Sequence, residues 1–158
     1  YELGKMVGAL EAGHDLAIGT RQGACAERVN ESWLRHWLAR GFNLLVRVVA
    51  GLNFRDTQAG FKGFRRQAAR DLFSRARLYG EDARPLKGSA LTAFDVEILY
   101  LAVQRGYRIE EVPVKWQYHR DSRARLWFDG PRMLSDLLRV WWMSIKGLYD
   151  EDVPTPPE

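Results

Sequence analysis

Apolar positions mark out the first elements. Within residues 2–10, Leu3, Met6, Val7 and Leu10 recur at three- and four-residue intervals, one stripe of a helix, and Gly13 supplies its stop. Asp15-Leu16-Ala17-Ile18-Gly19 is a short apolar run between turn residues, the pattern of a buried strand. Residues 20–31 are polar and contain Gly, which predicts a loop. Ser32 is placed to cap a long helix reaching about Leu52, with a core stripe of Leu34, Trp37, Leu38, Leu45, Val48, Val49 and Leu52. On another side of that helix Arg35, Ala39, Asn43 and Arg47 lie four apart, either a solvated polar face or a second, function-bearing one.

Further on, residues 55–60 form a polar turn leading into Phe61-Lys62-Gly63-Phe64-Arg65, suited to a short strand, with a helix expected over 67–73. Residues 75–92 lack periodicity and predict an exposed, mobile excursion. Phe94, Ile98, Leu101 and Ala102 predict a helix over 94–104 ended by Gly106, and residues 107–116 are β-type, with Pro113 marking an edge or a bend. A cationic loop, 119–125, precedes a last helix predicted over 131–149 with Pro131 in its first turn. Its apolar face is wide: Met133, Leu134, Leu137, Leu138, Val140, Trp141, Trp142, Ile145 and Leu148. Such a face packs on its own domain or, with paired Trp beside Arg139 and Lys146, rests at a membrane interface. The acidic tail 150–158, with three Pro, reads as a disordered end or linker.

Composition narrows the class. In 158 residues, 46% are apolar, enough to bury a core, and no apolar run approaches the ~18 residues that cross a bilayer. Cys25 is the only cysteine, so neither an intrachain disulfide nor a zinc cluster supports the fold, and a reducing compartment is the modest inference. The chain opens inside a helix, without a charged-then-apolar leader, as a fragment of a longer protein would. A net charge of +4 with a pI near 9.4 favours anionic partners without choosing among phosphates, lipid headgroups and nucleic acid.

Four stretches then carry a resemblance: DLAIGTR (15–21), RDTQAGFKGFRR (55–66), FDVEILYLA (94–102) and GYRIEEVPVKW (106–116), followed by Ser122-Arg123 and the amphipathic last helix. In this order and over nearly the whole chain they resemble the polyprenyl-phosphate glycosyltransferases, inverting enzymes of glycosyltransferase family 2 with the GT-A fold. The resemblance implies an α/β fold: a partial, Rossmann-like GT-A mixed sheet with flanking helices, residues 1–149 being its acceptor-side part. It also implies a preceding nucleotide-binding half, absent from this chain, whose Asp-x-Asp motif holds Mg²⁺ or Mn²⁺; no metal ligand is expected within residues 1–158, which should be inactive alone. The excursion near residues 80–89 is longer than the family's connection there.

The implied reaction moves a hexose, expected to be glucose from UDP-glucose, onto a polyprenyl phosphate at the cytoplasmic face of a membrane. A phosphate monoester carries roughly −1.5 to −2 charges at neutral pH, so it is already a nucleophile and needs cations rather than a strong base. Arginine meets that need with a planar fork that stays charged. On the family pattern Arg21, Arg35 and Arg123 are the expected acceptor-phosphate ligands, Arg21 having a loop-anchoring salt bridge as its plain alternative and Arg35 a surface helix charge. Ala39 stands where a small hydroxyl residue is expected, one turn after Arg35. Asp95 is the expected catalytic-position acid, orienting the acceptor or nearby cations, with a helix N-cap as its alternative. Asp56, Gln58 and Lys115 are expected to line the site, with building the turn as the plain alternative for Asp56 and Gln58, and Lys115, Arg120, Arg123 and Arg125 to form a clamp over phosphates, with a solvated basic loop as the alternative. Expected partners are a nucleotide sugar, polyprenyl phosphate and a membrane surface, with a homodimer as a further arrangement and no nucleic acid. The competing class is a non-catalytic basic module that binds anionic lipid or a protein partner.

Overall fold

A computed structural model describes residues 1–21, 27–29, 33–78, 94–117 and 126–150. The elements are α1 (Glu2–Glu11), β1 (Leu16–Thr20), β2 (Glu27–Val29), α2 (Trp33–Ala50), β3 (Lys62–Phe64), α3 (Arg66–Arg75), α4 (Phe94–Gln104), β4 (Ile109–Pro113), β5 (Lys115–Gln117) and α5 (Leu126–Ile145). β1 is the central strand of a mixed sheet ordered β3-β1-β4, antiparallel to β3 (Ile18 opposite Lys62) and parallel to β4 (Thr20 opposite Pro113). All five β1 residues are buried, as expected of a strand covered on both faces. β2 and β5 form a separate parallel pair.

Alternation along β1 sorts the core into layers. Ala17 faces α1, where Met6, Val112 and Val114 close a small cluster with Leu10 and Phe61. Leu16 and Ile18 face the other way, into a larger core completed by Val46, Leu72, Ile98, Leu99, Leu101, Leu137 and Val140 from α2 to α5. The fold is therefore α/β with helices on both sides of a mixed sheet, as anticipated. Gly13 and Gly106, each at positive φ (101° and 71°), end α1 and α4 where the sequence placed the stops.

Four expectations need correction. The predicted loop over 20–31 contains β2; Ser32 itself lies outside the described residues. The predicted strand over 107–116 is two strands, because just past Pro113 the chain leaves the β1 ladder and β5 pairs with β2 instead. α5 begins at Leu126, so Pro131 sits inside it rather than in its first turn. Its end comes at Ile145, and Gly147 (φ 67°) then reverses the chain so that Tyr149 returns to the core.

The face of α2 is the fourth. Val46 is buried and Phe42, Leu45 and Val49 pack with it, whereas Trp37, Leu38 and Val48, all expected inside, are exposed together with Trp33 and Leu44. Trp33 (75% exposed), Trp37, Leu44 and Val48 (76%) follow helical spacing of their own, so the helix carries two apolar stripes and periodicity cannot tell which one the core takes. α5 divides in the same way: Leu137 and Val140 go inward while Leu134, Leu138, Trp141, Trp142 and Ile145 face out. Of the excursion predicted over 75–92, α3 takes in Arg75 and residues 79–92 lie outside the described residues, as do the loop 119–125 and, of the tail 150–158, residues 151–158.

Candidate anion site at the end of the central strand

The site forms where β1 runs out, at the carboxyl end of its parallel pairing with β4, the usual place for ligands in an open α/β sheet. β1 delivers Arg21, the turn before β3 delivers Asp56, β3 delivers Lys62, and the first turn of α4 delivers Asp95. The turn is held against β1 at close range: Gly19 N–H donates to the Phe61 carbonyl (2.8 Å), and a Cβ on Gly19 would lie 3.1 Å from that same oxygen. From the helical side Asn43 clamps it. The Asn43 amide donates to the carbonyls of Phe54 (3.0 Å) and Arg55 (2.8 Å), and its Oδ1 accepts from the Thr57 N–H (3.2 Å) and hydroxyl (2.9 Å). Arg47 Nε adds a bond to the Phe54 carbonyl (3.0 Å). The half of that stripe formed by Asn43 and Arg47 thus meets this turn and is no solvated face; the side chains of Arg35 and Ala39 lie outside the described residues.

Within the site the charges pair. Arg21 grips Asp56 in a bidentate fork, Nε to Oδ2 at 2.6 Å and Nη2 to Oδ1 at 2.8 Å, with the Arg21 backbone N–H also on Oδ2 (3.2 Å). Lys62 Nζ lies 3.0 Å from Asp95 Oδ1 and donates to the Ala59 carbonyl at 2.5 Å, its side chain only 7% exposed. Burial lowers the Lys62 pKa below 10.5, Asp95 and Asp56 pull it back up, and Arg21 adds to the lowering. Two cations and two carboxylates leave this cluster formally neutral. An arriving anion meets the Arg21 guanidinium, 19% exposed and already set in place, while the Lys62 ammonium stays enclosed.

Of the residues expected from sequence, the structure brings Arg21, Asp56 and Asp95 together. The loop-anchoring salt bridge foreseen as the alternative for Arg21 is present, with Asp56 as its partner. α4 begins at Phe94, so Asp95 sits inside the first turn, where its charge suits the helix dipole, and is not the N-cap. Gln58 lies in the same turn with its Nε2 buried and without an acceptor among the described residues. Lys115 opens β5, where its backbone N–H donates to the Glu2 carboxylate at the start of α1, in the layer across the sheet from Asp95. The side chains of Arg35 and Arg123 lie outside the described residues.

Sequence reading missed Lys62 and the turn-holding task of Asn43. A signal for Lys62 existed: in a strand it shares a face with Phe64, two positions on, which puts a cation against the core side. Asp56 and Asp95 are each spent on a cation, and no cluster of three or more His, Cys, Asp or Glu suited to a metal ion occurs among the described residues. These residues do not fit a divalent-cation site.

Comparison with known proteins adds the chemistry of relatives. No protein-family model matches the chain. It is 32% identical over 143 residues to the dolichyl-phosphate beta-glucosyltransferase of Saccharomyces cerevisiae, covering 87% of this chain and 38% of that protein. The Drosophila melanogaster protein of the same name is 33% identical over 135 residues, with coverages of 85% and 38%. The polyprenol monophosphomannose synthase of Mycolicibacterium smegmatis is 27% identical over 149 residues, 94% of this chain and 52% of that protein. The chain thus spans roughly two fifths to one half of the curated relatives it is aligned with here.

Proposed function

We propose, of a chain that belongs to the family 2 polyprenyl-phosphate glycosyltransferases, that it forms the acceptor side of an enzyme transferring a hexose to a polyprenyl phosphate with inversion. The observation that carries the proposal is the convergence of Arg21 and Lys62 on the carboxyl end of β1, each held by a carboxylate. Arg21 holds the acceptor phosphate and Asp56 keeps its fork flat and aimed until the phosphate arrives. Because the phosphate is already ionised, the site's task is to offset its charge and fix its direction of attack, not to remove a proton. Asp95 orients this arrangement through Lys62. Glucose is the proposed sugar, on the names of several relatives, and UDP-glucose its proposed donor. The donor-side residues, and the ligands of any Mg²⁺ or Mn²⁺ that offsets charge on the departing diphosphate, would lie outside residues 1–158, which predicts that these residues alone transfer no sugar and that activity belongs to a longer, intact protein containing them.

The lipid tail needs an apolar route to the site. α2 and α5 pack against each other in the helical layer and both turn an apolar band outward, Trp33, Trp37 and Val48 on one and Leu138, Trp142 and Ile145 on the other. Lys146 lies over the Trp142 ring, 4.1 Å from its centre, so cation and aromatic ring share the edge of the band. No helix among the described residues is long and apolar enough to cross a membrane. We assign these bands to the cytoplasmic surface of a membrane, where aromatic and basic side chains suit the headgroup region.

Two measurements test the reading. Transfer of radiolabelled sugar from UDP-glucose or GDP-mannose to a short polyprenyl phosphate by the intact protein should occur and fall at least tenfold in Arg21→Ala; undiminished transfer in that variant would remove Arg21 from the site. Flotation with anionic vesicles should drop when Trp141 and Trp142 become Ser. Unchanged flotation rejects α5 as the membrane contact, and a concentration-dependent dimer that dissociates in the same variant would assign this face to a second copy.

A further inference from the structure

Lys62 is a costly choice for its position. Its side chain is nearly buried, burial works against its charge, and its visible partners are Asp95 and the Ala59 carbonyl. Replacing a buried ion pair by apolar side chains of similar size is often neutral or even stabilising, so packing alone does not call for an ammonium here. Geometry suggests what does. β3 carries Lys62 on the face that looks toward α4, so its ammonium joins two pieces the sheet does not otherwise connect, the turn carbonyl at residue 59 and the carboxylate at the start of α4.

We infer that Lys62 is a positioning residue that acts through Asp95, fixing that carboxylate toward Arg21 and the acceptor phosphate while its bond to Ala59 sets the turn that carries Asp56. This rests on the acceptor-site reading above. Lys62 is not itself a phosphate ligand, because its ammonium is enclosed and already donates to two oxygens. A carboxylate that swings among rotamers would leave the reacting groups misplaced, and misplacement on the order of 1 Å costs on the order of 100-fold in rate.

A double-mutant cycle on sugar transfer by the intact protein tests this, with short polyprenyl phosphate as the varied substrate. Lys62→Met should lower kcat about 100-fold while changing the acceptor KM by less than about threefold, on the positioning cost just given. Asp95→Asn should do the same, and the double variant should be no worse than either single one. Multiplying effects, or a tenfold rise in acceptor KM at unchanged kcat, would overturn the inference, the latter making Lys62 a direct ligand. Lys62→Gln, which keeps a donor for Ala59, replaces Lys62→Met if that variant fails to fold and carries the same expectations. An independent readout is the χ1 coupling of Asp95, measured by NMR in aspartate-labelled protein. A single rotamer that becomes averaged in the Lys62 variant supports the role, and an unaltered rotamer refutes it. Absence of any sugar transfer by the longer, intact protein without substitutions would sink the enzymatic reading while this NMR measurement still decides what Lys62 does.

Discussion

Asn43→Ala removes the clamp on the turn that presents Asp56, and its cost follows from what is left behind. Asn43 is 8% exposed and meets two carbonyls and two donors. The carbonyls lose little: that of Phe54 keeps its bond from Arg47, and Arg55 is exposed so that water can serve its own. Thr57 is different, because it is fully buried and both its N–H and its hydroxyl lose their acceptor. Two orphaned buried donors, at the lower half of the usual ~1–3 kcal/mol each, cost about 3 kcal/mol. For a chain of this length that is a fall in Tm of about 6–12 °C. Thermal unfolding followed by circular dichroism gives the number, and Thr57→Val tests the cause. With the hydroxyl gone there is one orphan fewer, so the double variant should be more stable than the sum of the single changes by about 1 kcal/mol. A Tm shift under about 2 °C, or strict additivity, would refute this account of the turn.

Two other consequences are open to direct measurement. Burial alone would raise the Asp71 carboxyl, but hydrogen bonds from Arg75, Tyr107 and Arg105 outweigh it and hold its pKa below 3.8. A lowered folded-state pKa means stability that is present above the unfolded value and lost as pH falls through the folded one, so urea midpoints should decline below about pH 4, and Asp71→Asn should flatten part of that limb; an unchanged acid limb counts against the cluster. Gly19→Ala places a methyl 3.1 Å from the Phe61 carbonyl, a backbone atom with little room to give, and should cost about 1–3 kcal/mol in urea unfolding together with weaker phosphate binding; a neutral variant would mean that the turn sits farther from β1 than described.

Local chemistry accounts for what the sequence by itself determined. α1 is marked by an apolar period and a Gly stop, β1 by a short apolar run between turn residues, and α4 by helical spacing ended by Gly106, signals that each lie within one stretch of the chain. The motif residues Arg21, Asp56 and Asp95 were legible because they stand in runs whose order along the chain is specific. Tertiary structure decided the rest, for reasons no local window contains. α2 and α5 carry more apolar residues than one seam can bury, so which stripe faces inward depends on what the neighbouring helices leave uncovered. That left Val46 inside and Trp37 outside. The split of the last strand depends on β2, a partner nearly ninety residues earlier in the chain. Lys62 acquires its role only when β3, antiparallel to β1, places its ammonium beneath the start of α4, more than thirty residues away in sequence. A charge pair of that separation is a property of the packed sheet and helix together.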